Sequence, residues 1–509
     1  MEKRRKVVFK EYAQHQTMLL PPSLEELIIE THPVRTVSSV VDQLDLTLLE
    51  REYAGGGTSS YHPRMLLKVL VYGYLSNVYS SRRLEAGCKE NIHLMWISGM
   101  SQPDHNTINR FRGARLKNVI KEIFGKVVML LVESGHVNLQ SVYTDGTKIE
   151  ANANKYTFVW GKAIKTSRER IQKQLQELWD YSQAVAAEEL KDPSPTTFEK
   201  IDPEKVKQTV REIEQALQDK PVKKKIKQKL EYAKKHWPIN LARYEADEKI
   251  LAGRNSYSKT DTDATFMRMK EDPMLNGQLK PGYNLQISTS DQYIVNYTLH
   301  PNPTDTATLK SHLESFKSLY NFLPEELTAD AGYGSEENYQ HLHDNGITAY
   351  VKDNYFDKDQ HRKKKDPFAV SSLYYNAEQD CYYCPMGQKM TRSGESKKKS
   401  ANNYLQNYTH YKAQRCEGCP LRGQCHSGKG NRTIAINKNL DQLKRKARER
   451  LTSERGIYHR KKRACDVEPV FGHWKHNKKF KRFMLRSKAK VTVESGLMAI
   501  AHNLKKRAA

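Results

Sequence analysis

Two stretches run from apolar, β-prone residues into a carboxylate: S-V-Y-T-D-G-T-K-I-E at 141–150, carrying Asp145, and E-L-T-A-D-A-G-Y-G-S at 326–335, carrying Asp330. An acid at the end of a buried strand is costly unless a cation lies beside it. A third acid, Glu468, stands in Y-H-R-K-K-R-A-C-D-V-E-P-V-F-G-H-W-K-H, on or beginning a helix. Three carboxylates brought together from two strands and a helix suit Mg²⁺, a hard cation that prefers oxygen ligands. Two such ions about 3.5–4 Å apart clamp the attacking and leaving oxygens of an in-line phosphoryl displacement. A lone Asp after a strand is more often a turn or cap residue. It is the repetition of the pattern, with a third acid, that favours the metal reading. Asp261 and Asp263, in S-K-T-D-T-D-A-T, are expected only to shape a polar turn.

A second chemistry is offered by C-Y-Y-C-P-M-G (381–387) and C-E-G-C-P-L-R-G-Q-C-H (416–426). Two C-x-x-C pairs, Cys381 with Cys384 and Cys416 with Cys419, have the spacing of a tetrahedral structural Zn²⁺ site. Cys425 is spare, and the bland alternative is a set of reduced, unligated thiols. The odd total of seven cysteines argues against a disulfide framework.

The formal charge is +26, from 85 Lys+Arg against 59 Asp+Glu. That excess asks for a polyanion, nucleic acid or an anionic membrane surface. Membrane is the weaker partner: the longest clear apolar run, Val127–Val132, is far short of the ~20 residues a span needs. The opening M-E-K-R-R-K-V-V-F-K is followed by no apolar leader segment. The expectation is a cytoplasmic, nucleoid-associated protein bound to double-stranded DNA.

The elements that must position these residues fall into six stretches. Residues 1–135 read as an all-helical, DNA-binding domain. His62-Pro63 opens a helix with a stripe at Leu66, Leu67, Leu70, Val71, Tyr74 and Leu75, after a loop at Gly55-Gly56-Gly57. Asp104 is the expected N-cap of a helix leading to Arg110, Arg112, Arg115 and Lys117. This is either a helix-turn-helix reading a groove or a bundle with a solvated basic face. The bundle is slightly favoured for any single residue, while the charge favours DNA contact somewhere in the domain. Residues 136–158 are the first part of an α/β core, with a strand over Val137–Tyr143 and a hairpin turn at T-D-G-T-K-I-E. Residues 159–275 are a charged helical insertion. Ile164, Ile171, Leu178 and Val185 are spaced by seven, and Asp202-Pro203 caps a second helix with Val206, Val210, Ile213 and Leu217. The run K-K-K-I-K-Q-K (223–229) reads as part of a polar linker. The pair is either a self-packed hairpin or an arm for dimerisation or DNA bracing. Residues 276–355 are the second core part: two strands with a turn at Ser290 and Asp291, a helix over Thr306–Tyr320, the Asp330 strand, a helix over Glu336–Asp344 and a strand over Ile347–Lys352. Residues 356–435 are a basic Cys-bearing insertion with few long periodic segments, where His361–Lys365 and Lys397–Lys399 are available to phosphates. Residues 436–509 complete the core with basic helices.

T-D-G-T-K-I-E-A-N-A-N, T-A-D-A-G-Y-G-S and V-E-P-V-F-G-H-W-K-H-N-K-K-F-K-R-F, in that order with P-G-Y-N-L-Q between the first two acids, resemble the DDE transposases of bacterial insertion sequences. The match looks closest to the family numbered eleven-eighty-two. It extends through Q-P-D-H-N-T-I-N-R-F-R and E-S-G-L-M-A-I-A-H-N-L-K-K, and so covers nearly the whole chain. The resemblance implies a ribonuclease-H-like mixed sheet with flanking helices, interrupted by the two insertions. It implies the triad Asp145, Asp330 and Glu468, and two Mg²⁺ or Mn²⁺ ions. It also implies cleavage at terminal inverted repeats and attack of the freed 3′-OH on target DNA, by a homodimer or higher oligomer on DNA. Related enzymes carry Tyr, Arg, Glu and Lys at fixed spacing. Lys475 falls where the Lys belongs, but Ala464 and Lys461 occupy the Arg and Tyr positions. Arg463 and Tyr458 are the nearest substitutes. At ~100° per residue Arg463 points well away from Glu468, unless the helix begins or kinks near Pro469. Lys475 and Arg463 are thus expected as DNA contacts, together with Arg110 and Arg112 of the N-terminal domain. The competing classes are a metal-dependent nuclease that joins no strands and a transposase-derived repressor that performs no chemistry.

Overall fold

Val142, Tyr143, Thr144, Thr147 and Ile149 are branched or aromatic residues that favour extended backbone. In the computed structural model of the chain they make Ser141–Glu150 the central strand of a six-stranded mixed sheet. The structure describes residues 23–53, 60–186, 198, 201–269, 277–361, 366–400 and 402–508. Ser141–Glu150 pairs antiparallel with Leu279–Ser290 and parallel with Glu326–Ala329. Leu279–Ser290 pairs antiparallel with Tyr293–His300 and, through its first residues, with Thr265–Arg268. Thr348–Val351 adds in parallel at the other edge. The helix Glu336–Asp344 supplies the crossover that a parallel pair of strands requires. Glu454–Gly472 is a second helix, packed on the strands Ser141–Glu150 and Leu279–Ser290.

The expected hairpin turn at T-D-G-T-K-I-E does not form. Tyr143 to Glu150 are paired without interruption with Thr289 to Gly282, so Asp145 lies within its strand and not at its end. The Asp-Gly pair is a turn signal in isolation, and cross-strand pairing overrides it here. The hairpin expected at Ser290 and Asp291 is present. Asp291 and Gln292 have φ of 49° and 64°, the left-handed conformation that a two-residue loop between twisted strands needs.

The segment expected as a charged helical insertion holds three helices, Gly161–Ala186, Pro203–Ala216 and Lys224–Leu251. The lysine run expected as linker lies mostly inside the third. Its stripe of Leu230, Ala233, Trp237 and Leu241 packs with Ile171, Leu175, Leu178, Val206, Val210 and Ile213. The heptad-spaced residues Ile171 and Leu178 are therefore spent on the core that these three helices share. The Cys-bearing segment is a five-stranded antiparallel sheet, more regular than its sequence suggested, with Met390, Tyr411, Ala413, Ile434 and Ile436 as a small core.

Contacts divide the chain into two units, Met1–Leu116 with Ile500–Ala509, and Lys117–Ala499. The first is helical. Pro63–Leu75 and its buried stripe, and the Asp104 cap of His105–Arg110, form as expected. Gly55–Gly57 and residues 362–365 lie outside the described residues.

Candidate catalytic centre

Thr144 and Ala329 are partners in the parallel ladder. Asp145 and Asp330 are therefore the next residues on two adjacent strands. Asp145 is buried, and its Oδ1 accepts the Gly146 N–H at 2.7 Å. Asp330 immediately follows its strand and caps the short turn Ala331–Tyr333, accepting the Gly332 N–H at 2.9 Å. The bland expectation of a cap is thus true of Asp330 without removing it from the site. Glu468 lies in the helix Glu454–Gly472 with its side chain 54% exposed.

The three acids meet on one cation. Arg463 Nη1 donates to Glu468 Oε1 at 2.8 Å, while its Nη2 lies 3.5 Å from Asp145 Oδ2 and 3.9 Å from Asp330 Oδ2. At an effective dielectric of about 20, unit charges about 4 Å apart interact by ~4 kcal/mol. The exposed Glu468 pair is screened towards the ~0–1 kcal/mol of a surface ion pair. The buried Asp145 contact is therefore the less screened and the Glu468 hydrogen bond the more screened of the two. The expectation that Arg463 points away from Glu468 is overturned. Glu454–Gly472 runs as one helix from Arg463 to Glu468 with Pro469 inside it, and the length of the arginine side chain, not a kink, spans the angle.

Tyr333 lies buried beneath this group and donates to Gln286 Oε1. Burial first, then the carboxylates of Asp305, Asp145 and Asp330, hold its phenol far above the usual range. The sequence reading missed Tyr333 and Gln286, since nothing in their local pattern separates them from core residues. Carboxylate oxygens are the donor type that Mg²⁺ or Mn²⁺ takes, so Asp145, Asp330 and Glu468 fit such an ion chemically. Among the described residues, no three His, Cys, Asp or Glu side chains already stand together as a metal cage; the acids gather around a guanidinium.

The other named residues separate. Lys475 lies past the α-helix in the π-helical turn His473–Asn477 and is buried. Arg110 is exposed at the end of His105–Arg110. Arg112 is buried, donating to Tyr79 O at 2.6 Å, Tyr74 Oη at 3.2 Å and Asn109 Oδ1 at 3.3 Å. Cys384, Cys416 and Cys419 line one small pocket, joined there by Cys425. Cys381 is buried in the neighbouring strand, with Gln379 Oε1 3.9 Å from its Sγ. Asp261 accepts from Tyr283 Oη at 2.9 Å and the Ser487 N–H at 3.2 Å, a structural use in line with the turn expected there.

A family model described as Transposase DDE domain matches residues 383–508, and one described as Transposase domain (DUF772) matches residues 22–114. No curated protein and no solved structure gives a match. The two family matches support a DDE transposase of an insertion sequence. The first contains Glu468 and Arg463; Asp145 and Asp330 lie outside both.

Proposed function

We propose, from the transposase role that its matched domains give the chain, that it is a metal-dependent enzyme of the DDE kind. It cuts DNA at the terminal inverted repeats of an insertion sequence and joins the freed ends to target DNA. The observation that carries this reading is the meeting of Asp145, Asp330 and Glu468, from two adjacent strands and a helix, on the single guanidinium of Arg463. The sheet order supports a ribonuclease-H-like core: three antiparallel strands, Tyr293–His300, Leu279–Ser290 and the Asp145 strand Ser141–Glu150, continued beyond Asp145's strand by two parallel strands with Asp330 after the first.

Asp145, Asp330 and Glu468 would hold one or two Mg²⁺ or Mn²⁺ ions, which when bound supply nucleophile activation and stabilisation of the leaving oxygen. In the first displacement a water oxygen adds to phosphorus and the bond from phosphorus to the 3′ oxygen breaks. In the second, the freed 3′-OH oxygen adds to a target phosphorus and the target's bond to its own 3′ oxygen breaks. Each nucleophile gives up one proton and each leaving oxygen takes one. Arg463, once its carboxylates are otherwise satisfied, pairs with a phosphate in the fork geometry that guanidinium favours. The exposed Arg110 and Lys397–Lys399 hold the DNA backbone. The enzyme works as a homodimer or higher oligomer on DNA, in the bacterial cytoplasm. Among the described residues no helix is long and apolar enough to cross a membrane.

The test is incubation of DNA carrying the element's flanking ends with Mg²⁺ or EDTA, for the wild type and Asp145→Asn. The expected result is metal-dependent nicks at fixed end positions, followed by joined products, both lost in the variant. Cuts without joining would reduce the protein to a nuclease. Tight binding with no cut in the wild type would leave a DNA-binding protein and sink the proposal.

A further inference from the structure

The segment N-P-T-D at 302–305 played no part in the sequence argument, yet its acid reaches the catalytic centre. Asp305 opens the 3-10 turn Asp305–Ala307 ahead of the helix Leu309–Tyr320. Its Oδ1 accepts from Asn284 Nδ2 at 2.7 Å and Gln286 Nε2 at 2.8 Å. Both amides are buried and stand on the strand paired with that of Asp145, Gln286 directly across from Gly146. The turn is tied to the Asp330 loop as well, since Thr306 Oγ1 donates to Gly332 O at 2.9 Å.

Two glycines measure how close Asp305 lies. A Cβ at Gly146, next to Asp145, would meet Asp305 Oδ1 at 2.6 Å. A Cβ at Gly332 would meet Asp330 Oδ1 at 3.0 Å and Asp305 Oδ2 at 3.4 Å. Oxygens of Asp305 and Asp330 therefore lie within 3.4 Å of one point. Asp305, Asp145 and Asp330 also act together on the buried phenol of Tyr333. An amide-clamped Asp is often only a loop staple. Here two neutral amides fix one oxygen, and the other accepts no hydrogen bond and makes no ion pair among the described residues. Asp145 and Asp330 already share the one guanidinium of Arg463, so a further carboxylate beside them is unfavourable until another cation joins the group.

We propose that Asp305 is a fourth acid of the catalytic centre, oriented by Asn284 and Gln286 so that its second oxygen serves the same divalent cation as Asp145 and Asp330. The inference rests on the metal reading of that centre. Mn²⁺ binding to the full chain, followed by titration calorimetry without DNA, tests it apart from activity. Asp305→Asn keeps an oxygen for the two amides and removes the charge. It is expected to weaken Mn²⁺ binding at least tenfold while leaving the melting temperature within a degree or two. Wild-type affinity in Asp305→Asn, alongside loss in Asp145→Asn and Asp330→Asn, overturns this inference alone. Unchanged affinity in all three variants, or no Mn²⁺ uptake by the wild type, overturns the metal reading with it.

Discussion

Arg463 and Glu468 lie on one turn-and-a-half of the same helix, and Nη1 of the first donates to Oε1 of the second at 2.8 Å. The other guanidinium nitrogen faces Asp145 and Asp330. One helix thus delivers both the third acid and the cation that keeps all three acids from repelling each other. Arg463→Ala removes that cation while Asp145 stays buried. Breaking a buried pair from one side costs about 3 kcal/mol, so denaturant stability in EDTA is expected to fall by roughly that amount. Saturating Mg²⁺ is expected to restore most of it, because a ligand bound only by the folded state stabilises it. An equal loss with and without Mg²⁺ would show that Arg463 serves packing rather than the carboxylates.

The two arginines read together as DNA contacts are predicted to behave differently. Arg112 is buried and spent on Tyr79, Tyr74 and Asn109. Arg112→Ala removes these hydrogen bonds and the packing of a buried side chain, at about 1–3 kcal/mol, and is expected to lower the stability of the helical unit. Exposed Arg110 is free to meet phosphate. Arg110→Ala is expected to leave the melting temperature unchanged and to reduce the slope of log affinity against log salt by about one. Measured binding isotherms across salt, with thermal melts, decide this; a stable Arg112→Ala with weakened binding would reverse the assignment.

What was legible in the sequence was what local pattern determines. Pro63 and Asp104 start their helices, Asp330 follows its strand, and the turn after Ser290 forms where expected. Asp145 was singled out for the right neighbourhood but the wrong backbone. Asp-Gly favours a turn locally, and only pairing with Leu279–Ser290, more than a hundred residues away in sequence, keeps it extended. Arg463 was misjudged because helical angle describes where a side chain starts and not how far a long one reaches. Asp305 was invisible because its role depends on two amides and two glycines contributed by other segments.

Gly146 and Gly472 form a matched pair for testing how tightly the centre is built. A Cβ at Gly146 would lie 2.3 Å from Gln286 Nε2 and 2.6 Å from Asp305 Oδ1, whereas one at Gly472 would meet nothing within 4 Å. Gly146→Ala is expected to push both side chains away and reduce end cleavage by about 10²-fold, the scale on which small misplacements act. Gly472→Ala, at the end of its helix, is expected to change stability by less than about 1 kcal/mol and to leave cleavage intact. Cleavage rates and melts of the two purified variants give the answer. Full activity in Gly146→Ala would mean that the close approach is not needed.

Behind Asp145 the sheet buries a polar chain that makes the fold sensitive to acid. Thr144 Oγ1 meets Ser288 Oγ at 2.7 Å, which meets His312 Nε2 at 2.8 Å. His312 Nδ1 meets Thr298 Oγ1 at 2.7 Å, which meets His300 Nε2 at 2.8 Å. Burial, reinforced by His300 and Lys121, holds His312 well below the usual imidazole range. Burial and Lys488 bring His300 down to about 4, with Lys121 adding to this and Asp305 opposing it. Both rings are neutral in the folded chain and take up protons on unfolding. Their contribution to stability is therefore complete above the unfolded pKa near 6.5 and is lost as pH falls from there through about 4. Each ring adds a slope of up to about 1.4 kcal/mol per pH unit in that window. His312→Gln, which removes one titrating ring, is expected to flatten the dependence of unfolding free energy on pH between 6.5 and 4 by about one proton. It should also lower stability at pH 8, where the ring's two hydrogen bonds are imperfectly replaced. Urea unfolding at half-unit pH steps measures both effects. An unchanged slope in the variant would show that His312 is not among the groups that take up protons when the protein unfolds in acid.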